Sequence, residues 1–391
     1  MPTNESRSLF IFAGEPSGDL LGSELLKHLI DDNSNLVVEG VGGPKMRANG
    51  MECFIAMEKF LVMGFSAVIK ALPHLRKLFN TVVDTIVAKQ YDVVVLIDYP
   101  GFNIRLAKAL KKKGYEGKIV HYVAPSVWAW KKGRIRHMER SLDLLITTFP
   151  FEAQHFEHTS LAVRYVGHPL LGKVSRHTYY EKWREACEIP DDKELVSIFP
   201  GSRKSEVVNN LTIYLQAAET FHKKHPDALF AVSIANDTVE ALVKERLHTC
   251  SLSLGESLFF VPHTYSYELM RDSSYAIATS GTVTLELALH KTPTVVAYNV
   301  AAFNWLVAKY IFRILLPYYC IVNIICQDEV FPEIIGRGIS SDDIAARLLR
   351  LADDDSRRSE CLEGCATMKG LLQYDNASKQ AAQEIEGMLY G

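Results

Sequence analysis

The 391-residue sequence lacks most of the features that would place it quickly. No stretch supplies the roughly 20 uninterrupted apolar residues of a membrane span. The nearest, residues 303–326, is broken by Lys309, Arg313 and Pro317. The start MPTNESRS is polar, and the apolar run after it is too short for a secretory signal. The seven cysteines are an odd number without a C-x-x-C pair. That argues against a disulfide framework and for reduced thiols in a cytosolic protein. Cys361 and Cys365 stand at helical spacing, but no neighbouring His or Cys completes a zinc set. No metal site is expected. The formal net charge of -3 gives no global pull toward nucleic acid. There is no P-loop and no complete G-x-G-x-x-G after a strand. No Asp-x-Asp follows a strand either; the one literal match, residues 353–355, falls in a helical tail. A redox dinucleotide and a divalent cation are therefore not expected, and no cofactor is.

What is present is the texture of a globular chain, 48% hydrophobic and 23% charged. Its length is too great for one ordinary core and comfortable for two. Short apolar runs such as LFIFAG, YDVVVLID and KIVHYVAP alternate with helical patterns. They are continuous rather than alternating, as in parallel strands buried on both faces. Near residues 172–190 the texture turns polar and loses its strands. A second strand series follows, including ELVSIFPG, YAIATSG and TPTVVAYN. The expectation is an α/β chain of two successive doubly wound, Rossmann-like domains, residues 1–175 and 176–345, facing a central cleft. Residues 346–391 read as helices that dock on the first domain or on a partner.

Ligands of such sheets bind just past the carboxyl ends of the strands. In the second half, Gly201, Ser202 and Arg203 follow a strand, where glycine allows close approach and arginine can grip phosphate. A turn with a solvated arginine would look the same. Ser280, Gly281 and Thr282 open a helix whose first N–H groups make an anion site. Glu286, one turn inside, could accept both hydroxyls of a ribose; the plainer alternative is a surface glutamate on a capped helix. Together these residues favour a diphosphate nucleotide. In the first half, Asp98 ends a strand, as a general base toward a hydroxyl or as a turn residue. HYVAPSVWAWKKGRIRHMER follows the next strand. There Trp128 and Trp130, beside Lys131, Lys132, Arg134 and Arg136, could stack on a sugar, meet phosphate, or belong to the core. Residues 61–79 carry an apolar helical stripe interrupted by Pro73 and flanked by basic residues. It suits either the core or a membrane interface.

The stretches AGEPSGDLLG, VGGPKM, VMGF, IDYPGFN, HYVAPSVWAW, FEHTSLAVRYVGHPL, PGSRKSEV and SGTVTLELAL, taken together, resemble the lipid-A-disaccharide synthases. These are bacterial, inverting glycosyltransferases of the GT-B fold, and the resemblance covers nearly the whole chain. It implies transfer of 2,3-diacylglucosamine from its UDP donor to the 6-hydroxyl of 2,3-diacylglucosamine 1-phosphate. The products are a β-1,6 disaccharide phosphate and UDP. Asp98 would be the base. Gly201, Ser202, Arg203, Ser280, Gly281, Thr282 and Glu286 would hold UDP. Asn323 and Glu329, in a stretch resembling the family's Asn-containing strand and following helix, would support them. On the acceptor and sugar side the resemblance suggests the glycine loop, with Gly14, Glu15, Ser17, Gly18 and Asp19, and Ser126 and Trp128. Helix capping by Ser17 or Asp19 is the plainer alternative. Four acyl chains bring the enzyme to a membrane, with Phe65, Val68, Ile69, Leu72 and Leu75 as contacts. That implies peripheral attachment to the cytoplasmic face of the inner membrane and allows a homodimer. The chain departs from the family at Pro16, Cys326 and Gly336. The rivals are a UDP-N-acetylglucosamine 2-epimerase or a peptidoglycan glycosyltransferase of the same fold, or a non-catalytic nucleotide-sugar binder.

Overall fold

The computed structural model describes residues 6–33, 35–61, 65–247, 250–301 and 316–391. The side chains of Asp32 and of residues 65–71 are outside that description. The chain divides into two units, Met1–Gly172 with Tyr374–Gly391, and Lys173–Gln373.

The first unit alternates strands and helices. Its elements are β1 Arg7–Ala13, α1 Pro16–Asp32, β2 Leu36–Gly42, α2 Pro44–Ala48, β3 Glu52–Ala56 and α3 Phe65–Lys89, then β4 Val93–Ile97, α4 Pro100–Lys112, β5 Lys118–Tyr122, α5 Arg134–Glu139, β6 Leu144–Thr147 and β7 Ala162–Tyr165. Proline opens α1, α2 and α4, where its missing N–H costs nothing. The seven strands are parallel, in the order β3-β2-β1-β4-β5-β6-β7. Both faces are covered, as the continuous apolar runs require. Along β1, Phe10 and Phe12 enter one core, with α3, α4 and α5. Leu9, Ile11 and Ala13 enter the other, with α1.

The second unit begins within α6 Pro169–Ser175 and continues through α7 Trp183–Ala186, β8 Leu195–Phe199, α8 Lys204–His222, β9 Leu229–Ile234, α9 Asp237–Leu247, β10 Leu258–Pro262 and α10 Ser266–Asp272. It goes on with β11 Tyr275–Ala278, α11 Thr282–Leu289, β12 Thr294–Asn299, α12 Ile321–Cys326, β13 Glu333–Gly336, α13 Ser341–Asp353 and α14 Asp355–Leu371. Its six strands are also parallel, ordered β10-β9-β8-β11-β12-β13. The helices after residue 345, grouped from the sequence, are divided. α13 and α14 stay with this unit, whereas α15 Ala377–Tyr390 returns to the first. There Ala377, Ala381, Ala382, Ile385 and Leu389 join the core beside Leu25, Leu26 and Leu29 of α1.

No helix among the described residues is long and apolar enough to cross a membrane.

Candidate functional site

Strand order fixes where each unit can bind. In an open parallel sheet the loops diverge where the winding reverses, leaving a crevice at the strand ends. In the first unit that point lies between β1 and β4, whose last residues Ala13 and Ile97 are paired. In the second it lies between β8 and β11, where Phe199 pairs with Ala278. The loops leaving these four strands are the ones that carry Glu15, Asp98, Arg203 and Ser280.

The second unit holds a cavity of about 620 Å³ lined by both of its loops. The first turn of α11 opens onto it, with Ser280, Gly281 and Thr282 at the rim. The Thr284 N–H of that turn donates to the Gly281 carbonyl at 3.2 Å, and the N–H groups ahead of it precede the first i-4 acceptor of the helix. Glu286 lines the same cavity and accepts a hydrogen bond of 2.9 Å from the Tyr267 hydroxyl. Burial raises the Glu286 carboxyl, and the Tyr267 hydrogen bond and the Lys173 charge pull it back. Tyr267 is itself held. Its ring meets His177 at 4.9 Å and His290 at 5.1 Å, and the Lys173 ammonium lies 5.0 Å over it. His290 Nδ1 lies 2.7 Å from the Glu286 carbonyl and its Nε2 2.9 Å from the Tyr179 hydroxyl. An imidazole donating from Nδ1 accepts at Nε2, which matches the lowering of its pKa by burial.

The Gly201 turn works differently from expectation. The N–H groups of Ser202 and Arg203 donate to Glu206 Oε2 at 3.0 and 3.2 Å, and Arg203 Nη1 to Glu206 Oε1 at 2.8 Å. Those backbone donors are thus engaged by a carboxylate. Gly201 has φ 118°, and a Cβ there would come within 2.5 Å of the Glu206 Cβ. The glycine makes room for Glu206. Arg203, with a 79% exposed side chain, remains the group that can reach a ligand. Glu206 was missed from the sequence, although its position at the third residue of α8 is the capping-box spacing.

In the first unit, Asp98 and Tyr99 have φ 48° and 44°, a left-handed pair that side chains rarely adopt. Asn103, fully buried, holds this turn by donating to the carbonyls of Ile97 at 3.1 Å and Asp98 at 2.6 Å. Burial pushes the Asp98 carboxyl up, against hydrogen bonds from the Tyr99 backbone and Ser17. Glu15 is also raised, by burial and then by the Asp98 charge. The two carboxylates and Ser17 therefore form one cluster at the switch point. A Cβ on Gly14 would lie 2.9 Å from the Tyr99 ring, and one on Gly18 3.3 Å from the Ala13 Cβ. Both glycines serve close packing under this cluster.

Other expected residues lie elsewhere. Asp19 is buried and accepts from the N–H groups of Gly43 at 2.8 Å and of Lys45 and Met46 at 3.1 Å each. It caps α2 rather than facing a ligand. Asn323 lies in helix α12, not in a strand, because the apolar run before Gln327 is buried on a helical face. Its amide is engaged by Phe331 and Glu333, and it is fully buried. Glu329 lies 4.0 Å from Arg347, outside the cavity lining. Trp128 packs edge-on to Phe151 at 5.3 Å, beside the buried Glu152 carboxyl, while Ser126 is exposed. The side chains of Phe65, Val68 and Ile69 are outside the described residues. Leu72 is 55% exposed, and Leu75 turns inward onto the core with Leu78 and Val82.

Two parallel, doubly wound units, each with its loops gathered at a switch point, define the α/β architecture of GT-B glycosyltransferases. The crystal structure of the Neisseria meningitidis UDP-GlcNAc 2-epimerase bound to UDP-GlcNAc has this fold, with TM-score 0.64 at 11% identity over 97% of this chain and 100% of that one. Residues 9–385 match the family model described as lipid-A-disaccharide synthetase, and the chain belongs to that family. It is 38% identical to a lipid-A-disaccharide synthase of Chlamydia trachomatis over 98% of its own length and 62% of the relative's. It is 33% identical to that of Methylobacillus flagellatus over 96% and 97%. The chain thus spans about three fifths of the length of the chlamydial relative.

Proposed function

We propose that the protein transfers 2,3-diacylglucosamine from UDP-2,3-diacylglucosamine to the 6-hydroxyl of 2,3-diacylglucosamine 1-phosphate, releasing UDP and the β-1,6 disaccharide phosphate. The observation that supports this most is the family match over residues 9–385. The geometry supports it with a nucleotide-sized cavity in one unit and a carboxylate cluster in the other.

In this reading Asp98 takes the proton from the acceptor hydroxyl as it attacks the donor's anomeric carbon. Burial raises Asp98, which strengthens it as a base, and Ser17 and the Tyr99 N–H steer the carboxylate. The bond to UDP breaks as the new one forms. Arg203 and the first turn of α11 balance the charge gathering on the diphosphate. Glu286, oriented by Tyr267, accepts the ribose hydroxyls. Leu72 and its neighbours on α3 meet the membrane that carries both lipid substrates, without a span.

Asp98→Ala should lose turnover by about a hundredfold or more while keeping UDP affinity. UDP release from the two lipid substrates reads the first, and calorimetric titration of UDP the second. Undiminished turnover would remove Asp98 as the base. No UDP release by the wild type would refute the activity.

A further inference from the structure

The cations that follow β5 have no part in the chemistry above. α5 packs on α4. Gly101, Arg105 and Lys108 are exposed and recur at helical spacing, so one stripe of α4 runs outward from the Asp98 turn. Arg105 stands about 8 Å along the axis from the start of that helix. Arg134 of α5 lies beside it. Its guanidinium is 5.3 Å from the Trp130 ring, which also carries the Lys131 ammonium at 4.2 Å. Burial and then the Arg105 charge lower the proton affinity of Arg134. Lys132 adds its charge beside His155, and Lys108 Nζ lies 3.5 Å from His137 Nδ1.

Neighbouring lysines are neutralised. Lys111 is 3.0 Å from Asp143 and Lys113 2.6 Å from Asp84. Among the described residues no carboxylate lies within 4.0 Å of Arg105, Lys108, Lys132 or Arg134. Two guanidiniums on packed helices that feel each other's charge without a counter-ion repel each other, and a doubly charged anion relieves that repulsion with charge-assisted hydrogen bonds. A chain of net charge -3 has no general surplus of cations to explain the cluster.

We propose that Arg105 and Arg134, with Lys108 and Lys132 beside them, form a phosphate subsite that holds the anomeric phosphate monoester of the acceptor. The acceptor's identity rests on the transferase reading above. The subsite lies in the unit that carries Asp98, so one sugar would present its 6-hydroxyl to the base while its phosphate is gripped. The disaccharide product keeps the same phosphate and would leave from the same grip.

The test is equilibrium binding of 2,3-diacylglucosamine 1-phosphate and of its dephosphorylated counterpart, in one detergent, to the wild type and to R105Q/R134Q. The wild type should prefer the phosphorylated lipid about ten- to hundredfold. The variant should bind the two within about threefold of each other. An unchanged UDP affinity in the same preparation reports an intact fold. Equal preference in both proteins overturns the proposal. So does a variant that keeps the preference yet loses binding to phosphatidylglycerol vesicles, which would make the pair a surface for lipid headgroups. UDP release is assayed apart. A wild type with the binding preference and no release keeps the subsite and refutes the transferase; release without the preference does the reverse.

Discussion

In its proposed ribose-binding role Glu286 would accept two hydroxyls and so would have to be ionised, and its surroundings oppose that. Burial favours the neutral acid, and Tyr267 and Lys173 are the two groups that counter it. The tyrosine stays a donor throughout, because burial and the Glu286 charge push its own pKa far above neutrality. Its hydroxyl therefore fixes both the charge and the aim of the carboxylate. Tyr267→Phe should weaken UDP binding about three- to tenfold near neutrality. The sign with pH follows. In that proposed role the acid form would bind UDP poorly, so affinity should fall as pH drops through the Glu286 pKa. Without the hydroxyl that pKa rises, and the fall begins at higher pH. Calorimetric titration of UDP between about pH 5 and 8 reads both effects. An unshifted acid limb in the variant would reduce Tyr267 to a packing residue.

The glycine turn between β1 and α1 and the glycine pair before α2 act as one joint. Asp19 reaches from the first to three N–H groups of the second, and a Cβ on Gly43 would come within 2.5 Å of its carboxylate. Asp19→Ala leaves the buried N–H groups of Gly43 and Met46 without this acceptor and should cost about 2–4 kcal/mol in denaturant unfolding. Gly43→Ala should destabilise the parent but much less the Asp19→Ala background, because its clash is with Asp19. Additive effects in that double-mutant cycle would break the joint. The same region shows what could be read beforehand. The motifs named the loops that leave the switch-point strands, since glycine and acidic residues after a buried apolar run mark strand ends. They could not say where each side chain goes. Asp19 turned to a helix start, Asn323 to backbone inside the second unit, and Glu206 took the donors expected for a ligand. Such choices depend on which backbone groups lie opposite, and these come from segments distant in sequence or from turns whose φ the sequence does not print.

At the scale of the molecule, the chain leaves its first unit at Gly172 and returns at Tyr374. The sequence showed residues 346–391 as helices docking on the first domain or on a partner; which of the two was not legible, because α1, the partner of α15, lies over three hundred residues earlier. The consequence is that the end of the sequence supports its beginning. Ile385 is fully buried among residues of β1, β4, β5 and α1. Ile385→Ala should therefore cost about 2–4 kcal/mol, lost from the first unit alone. Hydrogen exchange separates the two units. Amides of β1, β4 and β5 should exchange faster in the variant, since local openings there become easier by that amount. Amides of β8 and β11 should keep their protection, and UDP its affinity, because the cavity lining and both strands belong to the other unit. Loss of protection across β8 and β11 instead would mean that α15 stabilises the second unit, and the division at Tyr374 would fall with it.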